Sequence, residues 1–310
     1  MLEMPEMFER YMSIGKQEYE KGAYEVAMDH FEKAYELKDD LLANVFLTRS
    51  LMALEDYDKA FQRMSEYKGA YLLNRDYQDT YFELLIKKQF FLEIEKFFLL
   101  PSIEVKDIWL KKYEVAKNYQ LVINETAFEE MKEQFNQLPN IPFWEQKKTL
   151  GLMKYFPKEV FVTLAKPLLV SEELSVLFRN DLVNQLVQLK ITTPLSVLTW
   201  EKQIKTFIPS DYLSLQQSCQ ESVVLQKVSH FYTENNPSLK KEMMQLIKLH
   251  IGYLYPFNNE VMTPTEDWVK SYMQPYARID AIEEGSKTLE DIYVYQKRLE
   301  KEVANLGIFQ

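Results

Sequence analysis

A single cysteine, Cys219, stands among 310 residues, so the chain can form neither an internal disulfide nor a cysteine-rich metal site. Glycine is scarce as well, with seven in total; none of them forms a glycine-rich phosphate loop, and the scarcity favours helix. No apolar run reaches the roughly 18 residues needed to cross a bilayer, and no charged start leads into an apolar stretch with a cleavage site. These absences set the expectation of a soluble, cytoplasmic protein with no membrane partner. The Asn124-Glu125-Thr126 glycosylation triplet is then a chance match. A basic stripe is also missing: the net charge is -10, and the first hundred residues hold 20 acidic side chains against 13 basic ones. Such a chain gains little from counterion release, so nucleic acid is not the expected ligand.

Histidine is nearly as rare as cysteine, and the three present, His30, His230 and His250, do not assemble a site in the sequence. His230 has Glu234 one turn later on the same helix face, but a metal needs at least a third ligand. Cys219 and His230 fall on one predicted helix, where a rise of 1.5 Å per residue separates their backbones by roughly 16 Å. A nucleophile and its base must touch. The expectation is a non-enzymatic protein with no catalytic residues, no cofactor and no metal.

What the chain does have is helical periodicity. Apolar and small residues recur every three or four positions from Phe8 through Tyr19, and the phase restarts after Gly22 with Tyr24, Ala27, Phe31 and Ala34. Two amphipathic helices therefore meet at a glycine, which can take the left-handed conformation that ends the first helix and turns the chain back. Gly15 and Ala27 are small where two axes cross closely, while Tyr11, Ile14, Phe31 and Leu37 supply bulk. A pair this short cannot bury both apolar faces and needs a neighbour.

These residues resemble the tetratricopeptide repeat. Against its pattern of W, two residues, L-G, two residues, Y, then A, three residues, F, and a closing P, the chain carries Tyr11, Ile14-Gly15, Ala27 and Phe31. Glu18 stands where Tyr is usual, with Tyr19 beside it, and Asp39 replaces the closing Pro. The resemblance implies an all-α fold, a right-handed α-α superhelix or solenoid of helical hairpins. Residues 8–41 form the clear repeat. Residues 42–71 repeat its outline around Leu42, Val45, Phe46 and Leu51, a break at Glu55-Asp56, then Tyr57, Ala60 and Met64. Residues 72–100 form a weaker copy, with Tyr77, Tyr81 and Leu84 before Gln89-Phe90 and Ile94, Phe97 and Phe98 after it. Pro101 closes this part.

Beyond residue 101 the periodicity predicts further helical hairpins to residue 190, with helices over 103–121, 125–137, 143–155, 158–169 and 172–190, the last starting at Ser171. From 191 to 210 the composition turns β-branched and aromatic. Leu195, Val197, Leu198 and Trp200, then Glu201-Lys202, then Ile204, Thr206 and Phe207 read as a β-hairpin insertion near 194–208. Helices over 212–233, 238–254 and 265–276 follow in a C-terminal helical region, 211–310. Its last helix, 288–306, begins at a Thr288 cap with Asp291 three residues on. It lines up Ile292, Tyr295, Leu299, Val303 and Leu306, a stripe that either caps the stack or offers a homodimer face. This layout is similar to uncharacterised repeat proteins of low-GC Gram-positive bacteria, which imply no known reaction.

In the tetratricopeptide family the first helix of each pair lines a concave wall. Matching by position puts Glu9, Met12, Lys16 and Tyr19 there from the first repeat, Leu42, Val45, Arg49 and Met52 from the second, and Arg75, Gln78 and Phe82 from the third. Apolar anchors beside three cations suit an extended peptide or a partner helix. One branch of the family clamps a peptide carboxylate with paired Lys, Asn and Arg, but Met12 and Phe46 occupy two of those places here. The sequence therefore points to a protein- or peptide-binding scaffold. A cytoplasmic peptide-sensing regulator is the next reading, and a hydrolase with scattered carboxylates the last.

Overall fold

The computed structural model describes residues 4–273 and 287–305. The chain is mostly helical, with one two-stranded antiparallel sheet, and divides into two compact units, Met1–Glu133 with Gly151–Phe161, and Gln134–Leu150 with Val162–Gln310.

The first unit begins with α1 (Met4–Glu20) and α2 (Tyr24–Leu37), then α3 (Leu41–Ala53) and α4 (Tyr57–Glu66), a short α5 (Lys68–Leu73), and α6 (Arg75–Lys87) with α7 (Phe91–Phe98). The three pairs turn alike. Gly22, Glu55 and Gln89 adopt positive φ of 80°, 61° and 55°. After each, the next amide reaches back across the helix end: Ala23 to the Glu18 carbonyl at 2.9 Å, Asp56 to Leu51 at 2.9 Å, and Phe90 to Leu85 at 3.0 Å. That paired closure satisfies carbonyls at the helix end and holds a non-glycine residue in the left-handed region twice. The breaks expected at Glu55-Asp56 and Gln89-Phe90 lie where the sequence puts them.

Between pairs the packing is aromatic. Phe31 stacks on Phe46 with centroids 5.0 Å apart, and Phe61 meets the edge of Phe90 at 5.1 Å. The sequence reading missed α5, whose single buried aromatic, Tyr71, donates to Asn44 Oδ1 at 3.0 Å or Thr48 Oγ1 at 3.1 Å. Asn44 in turn donates to the Arg63 carbonyl at 2.9 Å, so a polar knot joins α3, α4 and α5. Next comes α8 (Asp107–Asn118), which starts four residues later than its periodicity suggests and runs into a π-helical turn, Tyr119–Ile123. It is followed by α9 (Glu125–Asn136), whose last residues pass into the second unit, by α10 (Phe143–Leu150), which belongs to the second unit, and by α11 (Lys158–Leu169), which starts in the first unit and continues in the second. Glu95, on α7, accepts from the Tyr113 hydroxyl and from the Lys158 amide at the start of α11. Burial raises its carboxyl above the ordinary value.

In the second unit α12 spans Val176–Gln188, so the helix start expected at Ser171 is a correction. The Ser171 hydroxyl bonds Glu173 instead of capping a helix. The hairpin is present as β1 (Leu195–Leu198) and β2 (Ile204–Phe207), with Leu198 opposite Ile204 and Leu195 opposite Phe207. Its loop needs no Asn-Gly, because Lys202 takes the left-handed position with φ 61° and closes onto the Thr199 carbonyl at 3.0 Å. The helix expected over 212–233 is two helices, α13 (Leu215–Glu221) and α14 (Val223–Asn235). Ser222 interrupts them with extended backbone, and its hydroxyl accepts from the Leu225 amide at 3.3 Å to start α14. The long α15 (Pro237–Leu254), the short α16 (Asn258–Val261), α17 (Thr265–Met273) and α18 (Lys287–Asn305) complete the unit. Ile292 and Leu299 of α18 are buried in its core against α15 and α17, so the described part of that stripe is covered within the chain. Residues 274–276 of the expected 265–276 helix and Leu306 lie outside the described residues, as do the side chains of Thr288 and Val303.

Candidate functional site

The nine side chains expected to meet a partner separate into two groups. Met12, Val45, Gln78 and Phe82 are buried. Val45 sits in the core between the front helices, and Phe82 stacks on Trp109 at 5.2 Å and Phe98 at 5.9 Å. Gln78 spends its amide on the Leu72 carbonyl at 2.9 Å. These four expected contact residues are thus enclosed by the chain's own packing, Phe82 by Trp109 of α8 among others.

Lys16 and Tyr19 come together around Phe46, a residue not in the expected contact set, and Arg49 is near enough to Tyr19 for its charge to act on the phenol. The Lys16 ammonium lies 5.4 Å from the centroid of the Phe46 ring, and Tyr19 meets the same ring edge-on at 6.1 Å. Tyr19 also contacts Tyr24 at 5.2 Å. Burial raises the Tyr19 phenol pKa, and the Arg49 charge partly offsets that. Arg49 is held from below, its Nε donating to Thr80 Oγ1 at 2.9 Å and its Nη2 to the Asp76 carbonyl at 3.1 Å, which links α3 to α6. Among the described residues neither Lys16 nor Arg49 has a carboxylate within ion-pair distance. Two cations flanking a half-buried phenyl ring and a phenol can accept an anionic or carbonyl-rich segment, the ring adding cation–π stabilisation of about 0.5–1 kcal/mol.

Met52 is half-buried beside the core, and Leu42 is exposed. Arg75 stands apart, 81% exposed and in a loose pair with Glu104 at 3.6 Å. An exposed pair of that kind contributes little. The sequence reading has Phe46 as an apolar position and at a clamp place, but not its pairing with Lys16, which spans 30 residues and two hairpins that no spacing rule within one helix connects.

The second unit holds a cleft of about 380 Å³, its open mouth included, lined in part by Asn180, Trp200, Lys205, Tyr255, Phe257 and Tyr295. Its walls are largely committed to one another. Trp200 Nε1 donates to the Tyr295 hydroxyl at 2.9 Å, Tyr255 donates to the Leu213 carbonyl at 3.0 Å, and Lys205 lies 4.7 Å over Phe257. Asn180 Nδ2 donates to the Gly252 carbonyl at 2.6 Å. Behind the cleft the buried Arg179 donates to the carbonyls of Leu198, Ser171 and Leu174, and burial pulls its pKa down to about 10. The guanidinium thereby fixes the hairpin to α12.

His230 pairs with Glu234 at 3.4 Å, both exposed. His250 is buried and shares a 2.7 Å hydrogen bond between Nδ1 and the Tyr272 hydroxyl. Cys219 is partly buried, and burial raises its thiol pKa. Among the described residues no three His, Cys, Asp or Glu side chains are grouped to hold a metal ion, and no helix is long and apolar enough to cross a membrane. No family model, curated protein or solved structure matches the chain.

Proposed function

We infer that this chain is a protein- or peptide-binding scaffold whose first unit is a short stack of tetratricopeptide-like hairpins, a right-handed solenoid in which α1, α3 and α6 form the receiving wall. The observation that carries this reading is the Lys16–Phe46–Tyr19–Arg49 cluster: two cations without carboxylate partners, positioned by aromatic packing and by bonds to Thr80 and Asp76. The recurring turn at Gly22, Glu55 and Gln89 supports the repeat architecture, since positions 33 and 34 residues apart do the same job.

The partner segment lies extended across α1 and α3. It offers carboxylates or backbone carbonyls to Lys16 and Arg49 and an apolar side chain to Phe46 and Met52. Rigid aromatics lose little entropy on binding, which suits them as anchors.

The test is capture from native lysate with the full chain as bait, beside a variant carrying Lys16→Glu, Arg49→Glu and Arg75→Glu, followed by titration of the recovered partner. Loss of the same partner with the triple variant, together with loss on Lys16→Glu alone, supports the reading. Equal recovery by both baits overturns it. Lys16→Glu matters because it removes no intramolecular hydrogen bond, so its effect is not confused with the Arg49 anchor.

A further inference from the structure

Three half-buried rings meet on the front helices of the first unit. Tyr19, on α1, stands edge-on to Tyr24 of α2 at 5.2 Å, with 67° between the planes, and edge-on to Phe46 of α3 at 6.1 Å, with 76° between them. Phe46 is held by its stack on the fully buried Phe31. Rings set steeply to one another leave an angled notch where a small flat group can seat. The polar groups beside them are donors. The Lys16 ammonium, 5.4 Å from the Phe46 centroid, can only donate, and among the described residues it has no carboxylate within ion-pair distance. The hydroxyls of Tyr19 and Tyr24 likewise meet no acceptor among the described residues.

An ordinary extended segment brings as many N–H groups as carbonyls to such a wall, and every N–H that loses water without gaining an acceptor costs free energy. Proline has no N–H. A run of prolines holds the polyproline II conformation, whose carbonyls make no bond within the segment and whose order exists before binding. Its backbone therefore offers acceptors only, matched to donors only. We propose that the occupant of this site is a proline-rich segment in polyproline II conformation, its pyrrolidine rings seated against Tyr19, Tyr24 and Phe46 and its carbonyls accepting from Lys16 and the two phenols. This inference rests on the scaffold reading and narrows its partner: of the segments that could lie across α1 and α3, it selects one by its missing N–H groups and its flat rings.

The experiment is fluorescence anisotropy of labelled decaproline titrated with the full chain, beside a labelled Gly-Ser repeat of the same length, which is flexible and keeps its N–H groups. Decaproline should bind at least about tenfold more tightly, because its conformation is set in advance and no N–H is stranded. Tyr24→Ala and Lys16→Met should each weaken it about tenfold, the first by removing a ring and the second a donor. Val122→Ser, on the turn after α8 and exposed, should leave it unchanged. Circular dichroism checks folding, and if Tyr24→Ala unfolds, Tyr24→Leu, which keeps bulk without a flat ring, is read in the same way. Equal binding of the two peptides, no binding of decaproline, or decaproline binding indifferent to Tyr24 and Lys16 overturns the proline assignment and leaves the scaffold reading standing. Failure of the scaffold reading shows separately, as equal recovery by the two lysate baits.

Discussion

The ring of Phe31 occupies the space a side chain at Gly15 would need: a Cβ built on Gly15 falls 2.7 Å from Phe31 Cε1. Phe31 is fully buried and stacked on Phe46, so it has little room to yield. Gly15→Ala should therefore destabilise the first unit by about 1–3 kcal/mol through overpacking. Urea unfolding followed by tyrosine fluorescence checks this; an unchanged midpoint would mean that α1 and α2 do not cross this closely.

The hairpin turns give a prediction of opposite sign at equivalent positions. Gly22 has φ 80° with open space around its Cα, so Gly22→Ala should cost about 1 kcal/mol from backbone strain alone. Glu55 and Gln89 already bear that strain. Gln89→Gly should accordingly raise the unfolding midpoint or leave it unchanged, with a gain of at most about 0.5–1 kcal/mol. A clear loss of stability would show that side-chain contacts of Gln89 outweigh the relief.

Arg179 is a buried cation whose hydrogen bonds go to three main-chain carbonyls. Replacing it with Met leaves the carbonyls of Ser171, Leu174 and Leu198 without their donor, at about 3 kcal/mol. Hydrogen exchange of residues 195–207 measures the consequence directly. Faster exchange confined to the hairpin and the 171–175 segment is expected, and unaltered protection there would refute the anchoring role.

Stability should also depend on pH through His250. Burial lowers its pKa from 6.5 to about 4. Between those values the unfolded chain binds a proton that the folded chain does not, so stability is full above pH 6.5 and falls as pH drops towards 4. From pH 7 to pH 5 the wild type should lose about 2 kcal/mol more than His250→Gln, which has no imidazole to protonate. Parallel denaturation curves at the two pH values check this; identical slopes for the two proteins would count against a neutral buried imidazole.

Much of the front unit was legible because its rules are local. Gly22 ends a helix by backbone conformation, and Ala27 and Phe31 fall on one face by period. The breaks at Glu55-Asp56 and Gln89-Phe90 were visible from lost apolar phase alone. Other readings failed where distance along the chain mattered. Periodicity gave one helix over 212–233, but Ser222 starts a new helix there, because its side chain competes for the backbone. The tetratricopeptide resemblance implied a partner-facing role for Val45, Gln78 and Phe82, since matching by position assigns a helix face and not what lies against it. Trp109, about thirty residues beyond Phe82, covers it. The Trp200–Tyr295 hydrogen bond joins residues 95 positions apart and left no local trace.

The sequence by itself determined that this chain is helical, that its opening helices pair tightly at Gly22, and that a two-stranded hairpin interrupts the helices near residue 200. Each follows from side-chain period, from glycine's freedom at positive φ, or from β-branched composition, all of which act over a few residues. Tertiary structure alone decided that Lys16 stands over Phe46, which expected contact residues are sealed inside, and which helix face is left bare at Val115 and Val122. Those outcomes depend on what packs against each face, and burial is set by the sum of distant neighbours, which no spacing within one helix encodes.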